Sequence, residues 1–225
     1  MPSPLVVYPD TTLLLPPRFM GSVGYYAMMA RYGRVVIDTD VRYDKRQKAV
    51  HRCDIVDVRG DVQLTVPLAK PSLEKGERPT WRHCRISTHD EWWRQMKVTL
   101  ESAYGRTPYF EFLIDKFDCL FRSPEDWDEW PDAIVYDQVA DGIVRGILAM
   151  DNIVDWTPAS VAENAGDMVD MRRNDFIINN QPEYWQVRRE RLGFRDNLSI
   201  LDLVFNLGPE AAFYLKKISA SDVTF

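Results

Sequence analysis

Three consecutive leucines, Leu13-Leu14-Leu15, stop at Pro16-Pro17, and this limits the fold more than any other feature of the chain. A short apolar run ended by proline reads as a buried strand, because proline cannot continue a hydrogen-bonded ladder. Gly21 and Gly24 follow. Tyr25, Met28, Met29 and Tyr32 then fall at helical spacing, and Gly33 is expected to close that helix. Arg34–Asp38 is a β-branched strand with a carboxylate at its end. Strand, tight turn, helix and strand within forty residues make a βαβ unit, which favours a parallel pair.

Beyond this unit the spacing predicts a hairpin. Arg52–Arg59 alternates around Ile55, Val56 and Val58, Gly60-Asp61 turns, and Val62–Leu68 returns. Lys70–Pro79 is polar and proline-bearing, a loop, and Trp81–Ile86 reads as one more strand. From Asp90 the period becomes 3.6. Trp93, Met96, Leu100, Ala103 and Tyr104 mark a helix of about four turns, capped by Asp90 and ended by Gly105. Thr107-Pro108 opens another, with Tyr109, Phe112, Leu113 and Phe117 inward. Tyr136, Val139, Ala140, Ile143, Ile147 and Leu148 trace an amphipathic helix. Thr157–Asn180 has little periodicity and reads as a long functional loop or lid. Asn197 is expected to cap a helix through Leu207, which Gly208 ends before Pro209 starts the last. The expected class is α/β: an N-terminal βαβ unit with a mixed sheet over 1–89, then a mainly helical half over 90–225, in one domain of 1–225.

Composition narrows the function classes. Lys and Arg total 28 against 34 Asp and Glu, a net charge of −6, which argues against a nucleic-acid partner. No stretch approaches 18 apolar residues, so no membrane span is expected, and Met1 to Tyr8 lacks the basic and apolar regions of a signal peptide. Three cysteines, Cys53, Cys84 and Cys119, form no framework, which fits reduced thiols in a cytoplasm.

Five constellations have chemical content. In α/β sheets ligands sit beyond the C-terminal strand ends, so Pro17, Gly21, Tyr25 and Asp38 border an expected anion site, although no G-x-G-x-x-G or P-loop is present. The alternative is a tight turn that needs glycine. Ser199, Asp202 and Asn206 form a polar stripe on an otherwise apolar helix. A buried carboxylate is either bonded within the protein or faces a cavity, because unpaired burial costs on the order of several kcal/mol. Arg188, Arg189, Arg191 and Arg195 surround only Glu190, a cluster suited to a phosphate or to plain solvation, and Arg52 is a second anion contact. His51, Cys53, His83, Cys84 and His89 have some metal-ligand character, but adjacent His83 and Cys84 on a strand point apart, so no metal is expected. Glu101 and Tyr104 on the Asp90 helix are a candidate base and donor, while Ser102 lacks a nucleophile elbow. The stretch Glu125–Asp132 has five carboxylates with Trp127 and Trp130, either an acidic loop anchored by indoles or an interface.

The C-terminal blocks Tyr184-Trp185-Gln186-Val187, Arg191-Leu192-Gly193-Phe194 and Asn197 through Glu210 closely resemble the signature of the WbqC-like family. Leu15-Pro16-Pro17 with Gly21 and Tyr25-Tyr26, the stretch Tyr43 to Arg52-Cys53, and Trp93 through Ser102-Ala103-Tyr104 to Glu111 resemble it in the same order. Ala49-Val50-His51 departs from the pattern, where many relatives have Asn or an aromatic residue. The resemblance implies a cytoplasmic protein of envelope or O-antigen polysaccharide biosynthesis. It implies transfer of a glycyl or other small acyl group to an amino sugar, and it supplies no established catalytic residue and no cofactor.

The expected partners are therefore an activated small-molecule donor and a sugar acceptor. The donor is placed near the first βα turn and the acceptor along the arginine segment. Asp202 is assigned as base or orienter, with Asn197, Asn206 and Arg52 as polarising donors. Pro17, Gly21, Tyr25, Asp38, Glu101, Tyr104, Arg188, Arg191, Arg195 and Ser199 are assigned to substrate binding. Two rival readings are a non-catalytic scaffold using the Trp-rich loop, and a nucleotide-dependent ligase or nucleotidyltransferase.

Overall fold

The computed structural model of the chain describes residues 8–71, 78–162, 167–218 and 223–224. The centre of the expected loop Lys70–Pro79, part of the expected lid Thr157–Asn180 and nearly all of Met1 to Tyr8 lie outside the described residues.

The leucine run forms the end of β1 (Tyr8–Leu15), α1 spans Val23–Met29 and β2 spans Tyr32–Asp38, with β1 and β2 parallel. Leu13, Leu14 and Leu15 lie opposite Val35, Val36 and Ile37, and all six are essentially inaccessible to solvent. The two-residue alternation of a strand explains why a continuous apolar run is needed. Leu13, Leu15, Val35 and Ile37 enter the main core, whereas Leu14 and Val36 meet Ala159 on the other face.

β5 (Ile153–Thr157) and β6 (Met168–Asp170) complete a four-stranded sheet of order β5-β2-β1-β6, parallel at every pairing. The antiparallel hairpin forms as expected from β3 (Arg52–Val56) and β4 (Asp61–Thr65), as a separate ribbon. Cys53 and Ile55 face the core and Asp54 points outward. A third, two-stranded pair joins β7 (Ile177–Ile178) to β8 (Val223–Thr224). The helices are α2 (Trp92–Tyr104), α3 (Phe110–Leu113), α4 (Ala133–Ile147), α5 (Ala159–Ala162), α6 (Arg189–Leu192), α7 (Ile200–Leu207) and α8 (Glu210–Lys217). α7 is apolar nearly all round because it runs through the centre, between α1, α2, α3, α8 and β3. The main core accordingly draws residues from Leu13 to Val223.

Several boundaries differ from the expectations. α1 ends at Met29, and Tyr32 and Gly33 belong to β2. Gly33 is there for close approach rather than as a cap: a Cβ would stand 2.8 Å from the Pro9 carbonyl. Trp81–Ile86 is not a strand but a single 3-10 turn, Trp81–His83, followed by isolated bridges at Arg85 and Ile86. Asp90 does not cap α2; Asp90 and Glu91 are both left-handed (φ 67° and 42°), and the helix starts at Trp92. Phe112 is 76% exposed, because Phe110, Leu113, Ile114 and Phe117 form the inward face and Phe112 lies on the opposite one. Ser199, not Asn197, caps α7, its hydroxyl accepting from the Leu201 amide at 3.3 Å. Thr157–Asn180 contains α5, β6 and β7, elements too short to show a period in sequence.

Candidate functional site

The Pro-Pro stop sends the chain across the C-terminal end of β1 in a turn stitched to three elements. Phe19 N–H donates to Ala49 O at 2.9 Å, Ser199 Oγ donates to Met20 O at 2.7 Å, and Ile200 N–H donates to Gly21 O at 2.9 Å. Ser199 N–H in turn donates to Asp54 O of the hairpin at 2.8 Å. Tyr25 Oη, on α1, donates to Pro16 O at 3.0 Å. Gly24 permits Phe176 to close over α1, where a Cβ would stand 2.1 Å from the Phe176 carbonyl oxygen. These contacts bring the first βα turn, the hairpin, the Arg172–Ile177 segment and the entry to α7 around one cleft, where parallel sheets place their ligands.

The cleft has two chambers that share Arg18, Ala49, Arg52, Asp54 and Asp175. The outer one, about 330 Å³, adds Arg46, Gln47, Lys48, Gln63, Arg172 and Arg173. The inner one, about 270 Å³, adds Phe19, Met20, Gly21, Ser22, Tyr25, Cys53, Phe176, Ile177, Asn197 and Ser199. These are volumes appropriate to a small molecule.

Two arginines are held in place by neutral groups. Arg52 Nη1 donates to Gln63 Oε1 at 3.1 Å, and Gln63 Nε2 donates to Asp54 Oδ1 at 3.0 Å, across the β3–β4 register. Arg18 Nη2 donates to Asn174 O at 2.9 Å and its guanidinium lies 5.9 Å from the Phe176 ring centre. Burial lowers the Arg18 pKa from its ordinary value. The Nε of each arginine is buried without a hydrogen-bond acceptor. Arg172 is held differently, against Asp170 and, at 2.8 Å, against Asp38. The hydrogen bond to Asp170, opposed by desolvation and aided by Asp38, raises the Arg172 pKa.

Of the residues assigned from sequence, Gly21, Tyr25, Arg52, Asn197 and Ser199 line this cleft. Pro17 is buried in the turn that forms its wall. Asp38 is 3% exposed and sits behind Arg172, also accepting from the Ala159 and Asp40 amides. The stripe divides. Ser199 reaches the inner chamber, but Asp202 and Asn206 do not. Asp202, 3% exposed, accepts from Tyr184 Oη at 2.5 Å and Gln186 Nε2 at 2.9 Å, with Tyr104 beside it. Asn206 donates to Asp202 O at 2.7 Å and accepts from Val187 N–H at 3.1 Å. Burial raises the Asp202 pKa, and the hydrogen bonds from Tyr184, Gln186, Tyr104 and Asn206 oppose the rise. The void at this node is only about 10 Å³, lined in part by Arg188 and Arg195, about the size of one water. Of the two readings of the stripe, internal hydrogen bonding describes Asp202 and Asn206.

The arginine segment lies apart from the cleft. Arg188 donates to Ser102 O at 2.9 Å, Arg189 pairs with Glu183, Arg195 sits 3.7 Å from Asp61, and Arg191 is exposed, as is Glu101 on α2. Trp127 packs on Tyr136 with ring centres 5.7 Å apart, and Trp130, 41% exposed, donates its indole N–H to Ile86 O at 2.8 Å. Both indoles thus anchor the acidic stretch. Cys53 lies in the main core and Cys84 in a separate cluster, while His51 and His83 bond Val66 O and Thr80. Among the described residues no group of three or more His, Cys, Asp or Glu is placed to hold a metal ion.

Sequence reasoning did not find Arg18, Arg46, Lys48, Arg172, Arg173, Asp54 or Asp175. Arg172-Arg173 in a turn-rich segment was the one visible signal. The lumen offers cations, two exposed carboxylates and no activated nucleophile. Burial pushes the Cys53 thiol up to about 12, and the Ser22 and Ser199 hydroxyls are engaged by backbone groups. Such a site can bind and orient an anion, and a carboxylate there can take a proton.

Among the described residues no helix is long and apolar enough to cross a membrane. No curated protein and no solved structure matches the chain. Residues 17–136 match the family model described as the WbqC-like protein family, just over half of the chain and including the Pro17–Tyr25 turn, the hairpin and α2. The C-terminal blocks that first pointed there lie outside the matched span. With the turn and the hairpin of the cleft both inside it, the chain belongs to the WbqC-like protein family.

Proposed function

We propose that the chain is a small-molecule transferase of polysaccharide biosynthesis, moving an aminoacyl or other small acyl group to an amino sugar, with an anionic substrate held in the two-chambered cleft. The observation that carries this reading is the convergence of Arg18, Arg52, Arg172 and Arg173 on a cleft at the C-terminal end of a parallel sheet, in a chain of net charge −6. Family membership supports the pathway. In the reaction the amine nitrogen attacks the acyl carbonyl, the bond to the leaving group breaks, and the nitrogen gives up a proton. Asp54, steadied by Gln63, is the carboxylate assigned to accept it, a role that passes from Asp202 because that carboxylate borders only a void of about 10 Å³. The anchoring of Trp127 and Trp130 weighs against the scaffold reading.

The test is direct. The chain is incubated with nucleotide-linked amino sugars and with activated glycyl or acetyl donors, and the products are weighed by mass spectrometry. The expected result is an adduct of one acyl group, lost in Asp54→Asn and retained in Asp202→Asn. Absence of any adduct, together with no rise in melting temperature on adding any donor or acceptor, overturns the assignment.

A further inference from the structure

A second concavity lies at the other end of the sheet from the cleft, where β2 and β5 begin rather than end. α4 stops at Ile147, Ala149 turns left-handed (φ 48°), and the chain enters β5 at Ile153. α8 starts after Gly208 and Pro209 and forms the facing side. Between them is a groove of about 340 Å³. Its floor is Leu148 and Leu215, both almost fully buried. Ile147 and Met150 form one bank, Ala212 and Phe213 the other. α8 packs Ala211, Tyr214 and Leu215 inward, which leaves the Phe213 ring on its outer side, 67% exposed. Ile153, next to the groove in sequence, is 61% exposed. A lone exposed apolar side chain is ordinary. An exposed ring on the lip of an apolar groove, with charged residues at the rim, marks a surface that another molecule covers.

The charges specify that molecule. Asp151 stands on the α4–β5 bank and Lys216 on the α8 bank. Neither has an ion-pair partner among the described residues. Their charges cancel, so the groove is neutral in a chain whose net charge is −6. A strongly basic or acidic partner meets no opposite field there. A second copy does meet its complement. Rotation by a half-turn about an axis along the groove lays each bank over the opposite bank of the other copy. Asp151 then faces Lys216 of the partner subunit, and Phe213 lies against the partner subunit's Ile147 and Met150. An axis across the groove would set acid on acid and base on base, so the charges select the first axis.

We propose that this groove is the two-fold interface of a homodimer, with Phe213 as its apolar anchor and the Asp151–Lys216 pairs as its register. One groove and its lips make a small interface, so the pair is of the transient kind and separates on dilution. Both clefts, at the far ends of the strands, stay open in it. The proposal is therefore independent of the reaction assigned to the cleft.

The experiment is sedimentation velocity on the full chain from about 5 to about 500 μM. The expected result is a mass that climbs from 26.2 kDa toward twice that value across the series. Phe213→Ser is expected to weaken association at least about tenfold. Asp151→Lys and Lys216→Asp each set like charges together at two places and are each expected to weaken it about tenfold. The double variant carrying both exchanges restores opposite charges and is expected to return to within about twofold of the parent. Arg191→Gln, on a different surface, leaves association unchanged. All these side chains are exposed, and melting curves establish that each variant is folded. A monomer at every concentration overturns the proposal, as does a dimer indifferent to Phe213→Ser. Failure of the double exchange to restore association overturns the two-fold arrangement. A chain that stays monomeric and binds anilinonaphthalene sulfonate in a Phe213-dependent way has a small-molecule pocket there instead, and the dimer is again excluded.

Discussion

The cleft and the Asp202 node are both rich in polar and charged groups, and they do opposite things with them. At the node Tyr184, Gln186 and Asn206 close around Asp202, and about 10 Å³ of space is left. In the cleft, chambers of about 330 and 270 Å³ are bordered by cations. A buried carboxylate closed in by donors fixes one packing of a core, whereas cations bordering an open cavity are available to a ligand. The sequence stripe Ser199, Asp202, Asn206 spans both regions, with its first member in the cleft and the other two in the node.

The sharpest way to break this contrast is Asp202→Ala. It removes the acceptor shared by Tyr184 and Gln186 and is expected to cost about 3 kcal/mol of stability in urea unfolding, with the folded fraction's affinity for inorganic phosphate, a probe anion for the cleft, unchanged. A loss of affinity with little loss of stability would place Asp202 in the binding site after all. Gly24→Ala comes next. Its Cβ meets the Phe176 carbonyl, so about 1–3 kcal/mol of overpacking strain is expected along with weaker binding, because Phe176 is also a wall of the inner chamber. Arg52→Gln reverses the pattern of Asp202→Ala: about tenfold weaker phosphate binding, or about 1.4 kcal/mol, with a melting temperature close to that of the parent. Added salt should weaken the parent's phosphate binding and leave the Asp202→Ala stability deficit in place.

The smallest effect concerns a third buried carboxylate. Asp137 on α4 is 2% exposed, and its Oδ2 has no partner. Burial raises its pKa well above the ordinary carboxylate value, with Asp141 and Asp132 adding to the rise. The folded state therefore favours the protonated acid. Stability from this group is complete below the unfolded carboxylate value of about 3.9 and is lost as pH rises through the higher folded value. Asp137→Asn mimics the neutral acid at every pH, so thermal melts should show stabilisation at neutral pH that shrinks toward pH 4. A benefit that grows on acidification would contradict the raised pKa.

Much of the framework was legible because its signals are local. Leu13–Leu15 before two prolines, the helical spacing of Tyr25, Met28 and Met29, the alternation around Ile55 and the stripe from Tyr136 to Leu148 each need one element only to be recognised. β5, β6 and β7 were not legible. β6 and β7 hold three and two residues, and β5 is a half-buried edge strand whose pairing with β2 decides its state. The cleft was partly legible. Gly21 and Tyr25 follow from the strand-end rule, and Ser199 from the polar stripe, but the stripe alone did not separate Ser199 from Asp202.

The sequence by itself determined a βαβ start, a hairpin, a buried α7 and the family, because period, proline and motif act over short stretches of chain. Tertiary structure alone decided which charges face solvent in a cavity and which face one another. Arg18, Arg52, Arg172 and Arg173 are scattered over more than 150 positions and meet only when β6 pairs with β1 and the hairpin folds beside the turn. Of the arginines that cluster in sequence, Arg188, Arg189 and Arg195 turn instead to the Ser102 carbonyl, Glu183 and Asp61, and Arg191 is exposed. The physical reason is that a charge's role depends on its solvation and partners in three dimensions, and spacing along the chain specifies neither.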